Sequence, residues 1–149
     1  MPIRKSQGSI FQVAISDDVL ESVYRNITCI VSWDGFDGEV SDVDRTCLES
    51  QAAENDPGIP DFGQMSLQGF DDDEDNGRLH LQEMRENLET RNFRHVYRGA
   101  TGSPPQPRID FRGYVKSIGF SGGVNDNNRA PVIIRVTGFP RRFPLVTAV

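Results

Sequence analysis

The sequence predicts one mainly-β domain, an antiparallel β-sandwich or barrel flanked by a single α-helix. Three observations carry this expectation. Apolar and polar residues alternate in short segments along the chain, which is the period of a half-buried strand. Clusters of Gly, Pro, Asn and Asp separate those segments. Only one segment, near the middle, spaces its apolar residues as a helix does. Many strands with one helix favour a sandwich or barrel over an alternating α/β fold. At 149 residues the chain fits a single domain, 1–149, with residues 139–149 as a candidate C-terminal arm.

The elements follow in order. Phe11, Val13 and Ile15 alternate with Gln12 and Ser16, giving a strand over Ser9–Ser16. Asp17–Tyr24 reads as a loop or a short helical turn. Ile27, Cys29, Val31 and Trp33 give a second, more deeply buried strand, which Gly35, Asp37 and Gly38 break. A short strand follows around Val40–Thr46. Leu48–Asp61 has no useful periodicity and reads as a long loop, and loops of that length within a compact domain are usually functional. Gln64–Phe70 is a strand with Met65 and Leu67 inward.

Asn76–Glu89 is the helix. Leu81, Met84 and Leu88 form its apolar face, and Asp75 or Asn76 can cap its start. Phe93, His95 and Tyr97 mark another strand. Gly99–Pro107 is rich in Pro and Gly and reads as a loop. Ile109–Ser121 is the longest strand. Ile118 and Phe120 fall on the opposite parity from Ile109, Phe111 and Val115, which places a bulge near Ser117. After the turn Gly122–Asn128, Val132, Ile134 and Val136 line a strand ending at Gly138.

Composition narrows the function. No run approaches the length of a membrane-spanning helix, and no apolar stretch follows Arg4 and Lys5, so neither a membrane partner nor a signal peptide is expected. Cys29 and Cys47 lack metal-ligand spacing and read as reduced, buried thiols. His80 and His95 are isolated, so no Ser-His-Asp or Cys-His grouping emerges, and no enzymatic activity or cofactor is expected. No glycine cluster matches a phosphate loop. Asn26-Ile27-Thr28 fits a glycosylation acceptor, but without a secretory signal the match is fortuitous. The net charge of -6 disfavours tight nucleic-acid binding, despite the basic and aromatic residues between Arg91 and Arg98.

Charge is unevenly distributed. Residues 1–75 hold 17 acids and 4 bases, whereas residues 76–149 hold 5 acids and 12 bases. Such asymmetry suits a face that attracts a second copy or a polar partner, unless folding mixes the halves. The densest acids are the run Asp71–Asp75. Asp72, Glu74, Asn76, Gly77 and Glu83 nearly match the spacing of a calcium loop. A calcium loop of that kind needs a helix before it, and Gln64–Phe70 reads as a strand. A solvated loop whose acids favour the helix N-terminus fits better.

Taken together, these segments resemble the major tail tube proteins of long-tailed bacteriophages and their prophage-derived relatives. The resemblance is carried by Ile27-Thr28-x-Ile30 and Val43-Asp44-x-Thr46, and then by Pro57-Gly58-Ile59-Pro60-Asp61-x-Gly63-x-Met65-x-Leu67. The acidic loop and helix with Leu79 and Leu81 follow. Phe111-x-Gly113-x-Val115-x-Ser117-Ile118 and the strand Val132–Gly138 complete it. It covers about residues 8–138.

The resemblance implies a structural subunit with the tail tube fold. Copies would form hexameric rings that stack into a hollow tube through which DNA passes without tight binding. The implied partners are the chain itself and the tail terminator, tape measure and tail tip proteins. The implied location is the virion tail, assembled in the host cytoplasm. In such proteins the long loop before the third strand often bridges rings, and here it maps to Leu48–Asp61. The charge split adds interface candidates: Asp56, Asp61, Asp71, Asp72 and Asp73 on one copy, facing Arg94, Arg98, Arg141 and Arg142 on the next. Two other readings stay open: a tube subunit of a related secretion or contractile system, and a small calcium- or ligand-binding β-domain.

Overall fold

The computed structural model describes residues 7–15, 23–101 and 105–143. Nine strands and one helix follow one another: β1 (Ile10–Ala14), β2 (Tyr24–Ile27), β3 (Ile30–Gly35), β4 (Val40–Asp44), β5 (Asn55–Pro60), β6 (Gln64–Gly69), α1 (Asn76–Asn87), β7 (Thr90–Thr101), β8 (Gln106–Ile118) and β9 (Val132–Phe143). Seven strands form one antiparallel sheet in the order β2-β1-β7-β8-β9-β6-β3. β4 and β5 form a separate two-stranded hairpin.

The seven-stranded sheet curls into a half-barrel. Its two edge strands, β2 and β3, are consecutive in sequence, with only Thr28 and Cys29 between them. Trp33 on the far edge reaches across the interior to Phe11 on β1, at 5.6 Å between ring centroids, and to His95 on β7, at 4.6 Å. The registers align one inward row: Val13 with Phe93, Phe93 with Phe111, Val115 with Ile134, Ile134 with Met65, and Leu67 with both Val132 and Trp33. Strands expose alternate residues to opposite faces, so this row and its neighbours fill the concave side while polar residues occupy the other.

The helix closes the open flank. Asp75 caps it, accepting hydrogen bonds from the Gly77 and Arg78 N–H groups. Leu81 and Met84 bury completely in the core. Arg78 is also buried. Its Nε donates to the Thr28 carbonyl at 3.1 Å, Nη1 to the Ala130 carbonyl at 3.2 Å and Nη2 to the Cys29 carbonyl at 3.4 Å. Asp75 accepts from the Thr28 N–H at 2.9 Å. The first turn of the helix therefore holds the short link between the two sheet edges.

Several expectations hold. Phe11, Val13, Met65, Leu67, Val132, Ile134 and Val136 face inward, and the β8–β9 register shifts between Val115 and Ser117, where a bulge was expected.

Others are corrected. The segment from Ile27 to Trp33 is two strands, because Cys29 adopts a left-handed φ of 59° and breaks it. Val31 is consequently 57% exposed. Both cysteines are exposed, not buried. Leu48–Asp61 is not all loop, since β5 pairs with β4 there. Leu88 is exposed because it is the left-handed C-cap, beyond the apolar face. Phe120 is exposed past the end of β8. The Gly99–Pro107 loop is shorter than expected, with Thr101 and Gln106 already paired. β9 runs on past Gly138 to Phe143, pairing with β8, so residues 139–143 belong to the sheet. Residues 144–149, Arg4, Lys5 and the stretch 16–22 lie outside the described residues.

Gly77 tests the link between the edges. In a helix interior alanine normally stabilises by about 1 kcal/mol relative to glycine. Here an added Cβ would lie 2.1 Å from the Asn26 carbonyl oxygen, a backbone atom that cannot move aside. Gly77→Ala is therefore expected to destabilise by more than about 2 kcal/mol in urea unfolding. Stability equal to or above that of the parent chain would refute the close approach.

Candidate functional site

Among the described residues, no group of three or more His, Cys, Asp or Glu side chains could hold a metal ion. The calcium-like spacing is put to other uses. Asp72 accepts from the Glu74 N–H at 3.1 Å and from the Thr28 hydroxyl at 3.3 Å, and Asn76 opens the helix. The element before this loop is β6, a strand. Asp71 and Asp73 remain exposed on the loop, with the Asp71 N–H donating to the Asn128 carbonyl.

Charged groups on the outer face of the sheet form compact sets. Asp110 of β8 accepts from Arg94 Nε at 3.0 Å and from Arg108 Nε at 3.1 Å. Arg94 lies over the Tyr24 ring at 4.0 Å, and Arg108 over the Phe143 ring at 4.2 Å. These side chains are largely shielded from solvent, so the pairs count for more than ordinary surface ion pairs. Burial raises the Tyr24 hydroxyl pKa, against the opposing pull of Arg94. Arg112 donates to Asn92 at 3.3 Å and Lys116 to Gln64 at 3.4 Å.

At the base of the hairpin, one Nη of Arg135 reaches both carboxylate oxygens of Asp61, at 2.9 and 2.8 Å. The Gly63 N–H and then Arg135 hold the Asp61 carboxyl below its usual pKa. Asp56 pairs with Arg45 at 3.4 Å, with both side chains more than half exposed, so that pair contributes little. Of the interface candidates, Asp56, Asp61 and Arg94 thus already have partners within the chain. Arg98 lies across Gly8. Arg141 and Arg142 are exposed near the end of β9, and Arg142 stands 5.7 Å from the Tyr97 ring centroid.

Two features escape a sequence reading. One is the isolated hairpin, whose strands are exposed at nearly every position. The other is a groove of about 460 Å³ between the segment entering β1 and the free edge of β3, lined by Ser9, Phe11, Ile30, Ser32 and Trp33 among others. His95 sits under its aromatic wall, 4.4 Å from Phe11 and 4.9 Å from Tyr97 between ring centroids. Its ring is fully buried, and neither nitrogen has a hydrogen-bond partner. Burial pushes its pKa down to about 4.

A neutral imidazole is therefore required here, and the sign of the pH effect follows. This contribution to stability is complete above the free-histidine value near 6.5. It falls as pH drops toward 4 and levels off below that. Over that window His95 is expected to remove roughly 3 kcal/mol. Thermal melts between pH 7 and 4 should show a shallower loss for His95→Phe than for the parent chain, and parallel curves would refute the assignment.

No protein-family model matches the sequence, and no curated protein matches it. Solved structures do. A subunit in a hybrid NMR and cryo-EM structure of the SPP1 tail tube superposes with a TM-score of 0.75 at 13% identity, covering 94% of this chain and 78% of that one. A chain of a native gene transfer agent virion gives 0.67 at 15% identity, covering 94% and 98%. A chain from the sheath/tube terminator of an extracellular contractile injection system, PVC, gives 0.67 at 12%, covering 95% and 96%. Identities this low speak to fold alone. Across nearly the whole described domain, that fold is the curled, helix-flanked sheet found in tail tube structures.

Proposed function

We propose that this chain is the structural subunit of a phage-type tail tube, closing into rings that stack around a channel for DNA. The observation that carries the proposal is the agreement of fold over at least 94% of the chain with subunits of the SPP1 tail tube and of a gene transfer agent particle. Six subunits to a ring is the favoured number, because a similar gene transfer agent tail has C6 symmetry.

The chain's own physics supports the proposal. β2 and β3 present unpaired backbone at the two sheet edges, and such edges invite pairing with a further chain. The β4–β5 hairpin lies outside the seven-stranded sheet and is exposed at nearly every described position. A surface that meets a different surface on the next copy propagates instead of closing, which is what a stack of rings requires.

On this reading the chain has a structural role and no catalytic one. Its partners are other copies of itself and the proteins that begin, measure and end the tail. DNA slides through without tight binding, and the chain resides in the virion tail. A tube component of a contractile injection system is the second reading, favoured by the likeness to the PVC sheath/tube terminator.

Negative-stain images of the purified chain, alone and with a tail tip complex as template, test the proposal. Rings of uniform diameter, or tubes with a central channel, are expected. A chain that stays monomeric under both conditions would overturn it.

A further inference from the structure

His95 lies at a meeting point of rings. Phe11 of β1 stands 4.4 Å from it, Trp33 of β3 4.6 Å and Tyr97 of β7 4.9 Å, between ring centroids. Phe11 and Trp33 also meet edge to face at 5.6 Å. The imidazole is 1% exposed, and neither nitrogen has a hydrogen-bond partner. An apolar residue would fill this space without leaving polar atoms orphaned, so packing alone does not account for a histidine here.

The cover over His95 is uneven. Phe11 belongs to β1, which is paired on both sides, by β2 and β7. Trp33 belongs to β3, an edge strand paired only with β6, and the register of that pair shifts between Ile30 and Ser32. No residue of β3 is fully buried. Phe11 and Trp33 both line the groove of about 460 Å³, together with Ser9, whose buried hydroxyl also lacks a partner. Open space therefore adjoins both rings, and Trp33 is the one carried by a weakly held strand.

A proton on His95 changes the balance. The imidazolium has two N–H donors and no acceptor. The faces of Phe11 and Trp33 offer it cation–π attraction, but that does not replace the hydration of a buried charge. The surrounding elements supply no counter-charge. Phe11 of β1, Trp33 of β3 and Ile109 of β8 face it without titrating. Tyr97 on its own strand presents a ring, and beyond Tyr97 lies Arg142 of β9, itself a cation. Burial is accordingly what lowers the His95 pKa.

We propose that Trp33 is an acid-released lid on His95: when the imidazole takes up a proton, the indole leaves the ring stack and water from the groove reaches both N–H groups. The inference goes beyond the tube reading and does not depend on it, since every group involved lies within one chain. Linkage sets the direction. The lid is closed above the free-histidine value of 6.5, opens as pH falls, and gains nothing more below the buried value of about 4. Between those limits the ratio of open to closed rises about 300-fold. A lid open about 1% of the time at neutral pH is then open about three-quarters of the time in acid.

Trp33 is the chain's single tryptophan, so its own fluorescence reads the lid. Acrylamide quenching, corrected for fluorescence lifetime, reports access to the indole and not quenching by a neighbouring imidazolium. Far-UV circular dichroism follows the sheet in the same samples, and NMR follows the His95 ring protons. The quenching constant is expected to rise about threefold or more between neutral pH and about pH 4, with the midpoint of the His95 titration and before the sheet signal changes. His95→Phe is expected to abolish the rise. Should that variant fail to fold, the coincidence of the two midpoints in the parent chain decides the matter. A quenching constant that stays flat through the His95 titration would overturn the proposal. So would a rise that persists in folded His95→Phe, or one that appears only together with loss of the sheet.

Discussion

Two residues, Thr28 and Cys29, join the opposite edges of a seven-stranded sheet. The backbone from Ile27 to Ile30 can span about 10 Å at most. A flat sheet of seven strands would separate its edges by roughly three times that. The sheet must therefore curl until its edges nearly meet, and much of the fold follows from that requirement. The concave side becomes an enclosed core, Trp33 comes within reach of Phe11 and His95, and the helix has one open flank to cover. Arg78 and Asp75 fix the link by binding its carbonyls and its N–H. The Cys29 carbonyl also accepts from the Phe70 N–H. Gly69 and Gly77 keep the surrounding backbone close, since a Cβ on either would meet a carbonyl oxygen of this link or of Asn26.

Closure of this kind has a consequence for the strands that do not fit the curl. β4 and β5 leave the sheet between β3 and β6 and pair with each other, so their alternation has no core to face. β7, β8 and β9 run on past the body through shifts in register and through Gly99 and Gly138, both at positive φ. The molecule is thus a compact half-barrel from which a hairpin and a ribbon project. Burial identifies the core, and it also identifies these two projections as the parts whose residues have the least reason to be where they are within one chain.

Legibility in the sequence followed the same division. Strands with one face on the core announced themselves by alternation, as at Met65 and Leu67 or Val132, Ile134 and Val136. The bulge near Ser117 was readable because parity switches there, and the helix start because Asp75 precedes its apolar face. The split at Cys29 left no trace, because nothing about a cysteine forecasts a left-handed conformation. β5 was hidden by Pro57 and Pro60, which are tolerated in a ribbon with free edges but argue against an interior strand. The extension of β9 through Pro140 was hidden for a related reason: past Arg135 it has no β6 neighbour, so that side needs no N–H donor. Among the candidate charges, the sequence showed which were numerous but not which were engaged. Arg94 with Asp110 and Asp61 with Arg135 are partners made by registers and by the curl, at separations of 16 and 74 residues.

The distribution of charge then becomes intelligible as a product of folding. Some bases meet acids where the fold brings them together, Arg94 and Arg108 at Asp110 and Arg135 at Asp61, whereas Arg112 and Lys116 donate to the neutral amides of Asn92 and Gln64 and keep their charge. Exposed charge remains on both projections, negative on the hairpin and positive on the ribbon, and also on the loop before the helix, at Asp71 and Asp73. The acidic and basic halves of the sequence are therefore not averaged away by folding. They are partly neutralised at Asp110 and Asp61, where the registers and the curl bring acid and base together, and otherwise persist at the surface, on the hairpin, on the ribbon and beside the helix.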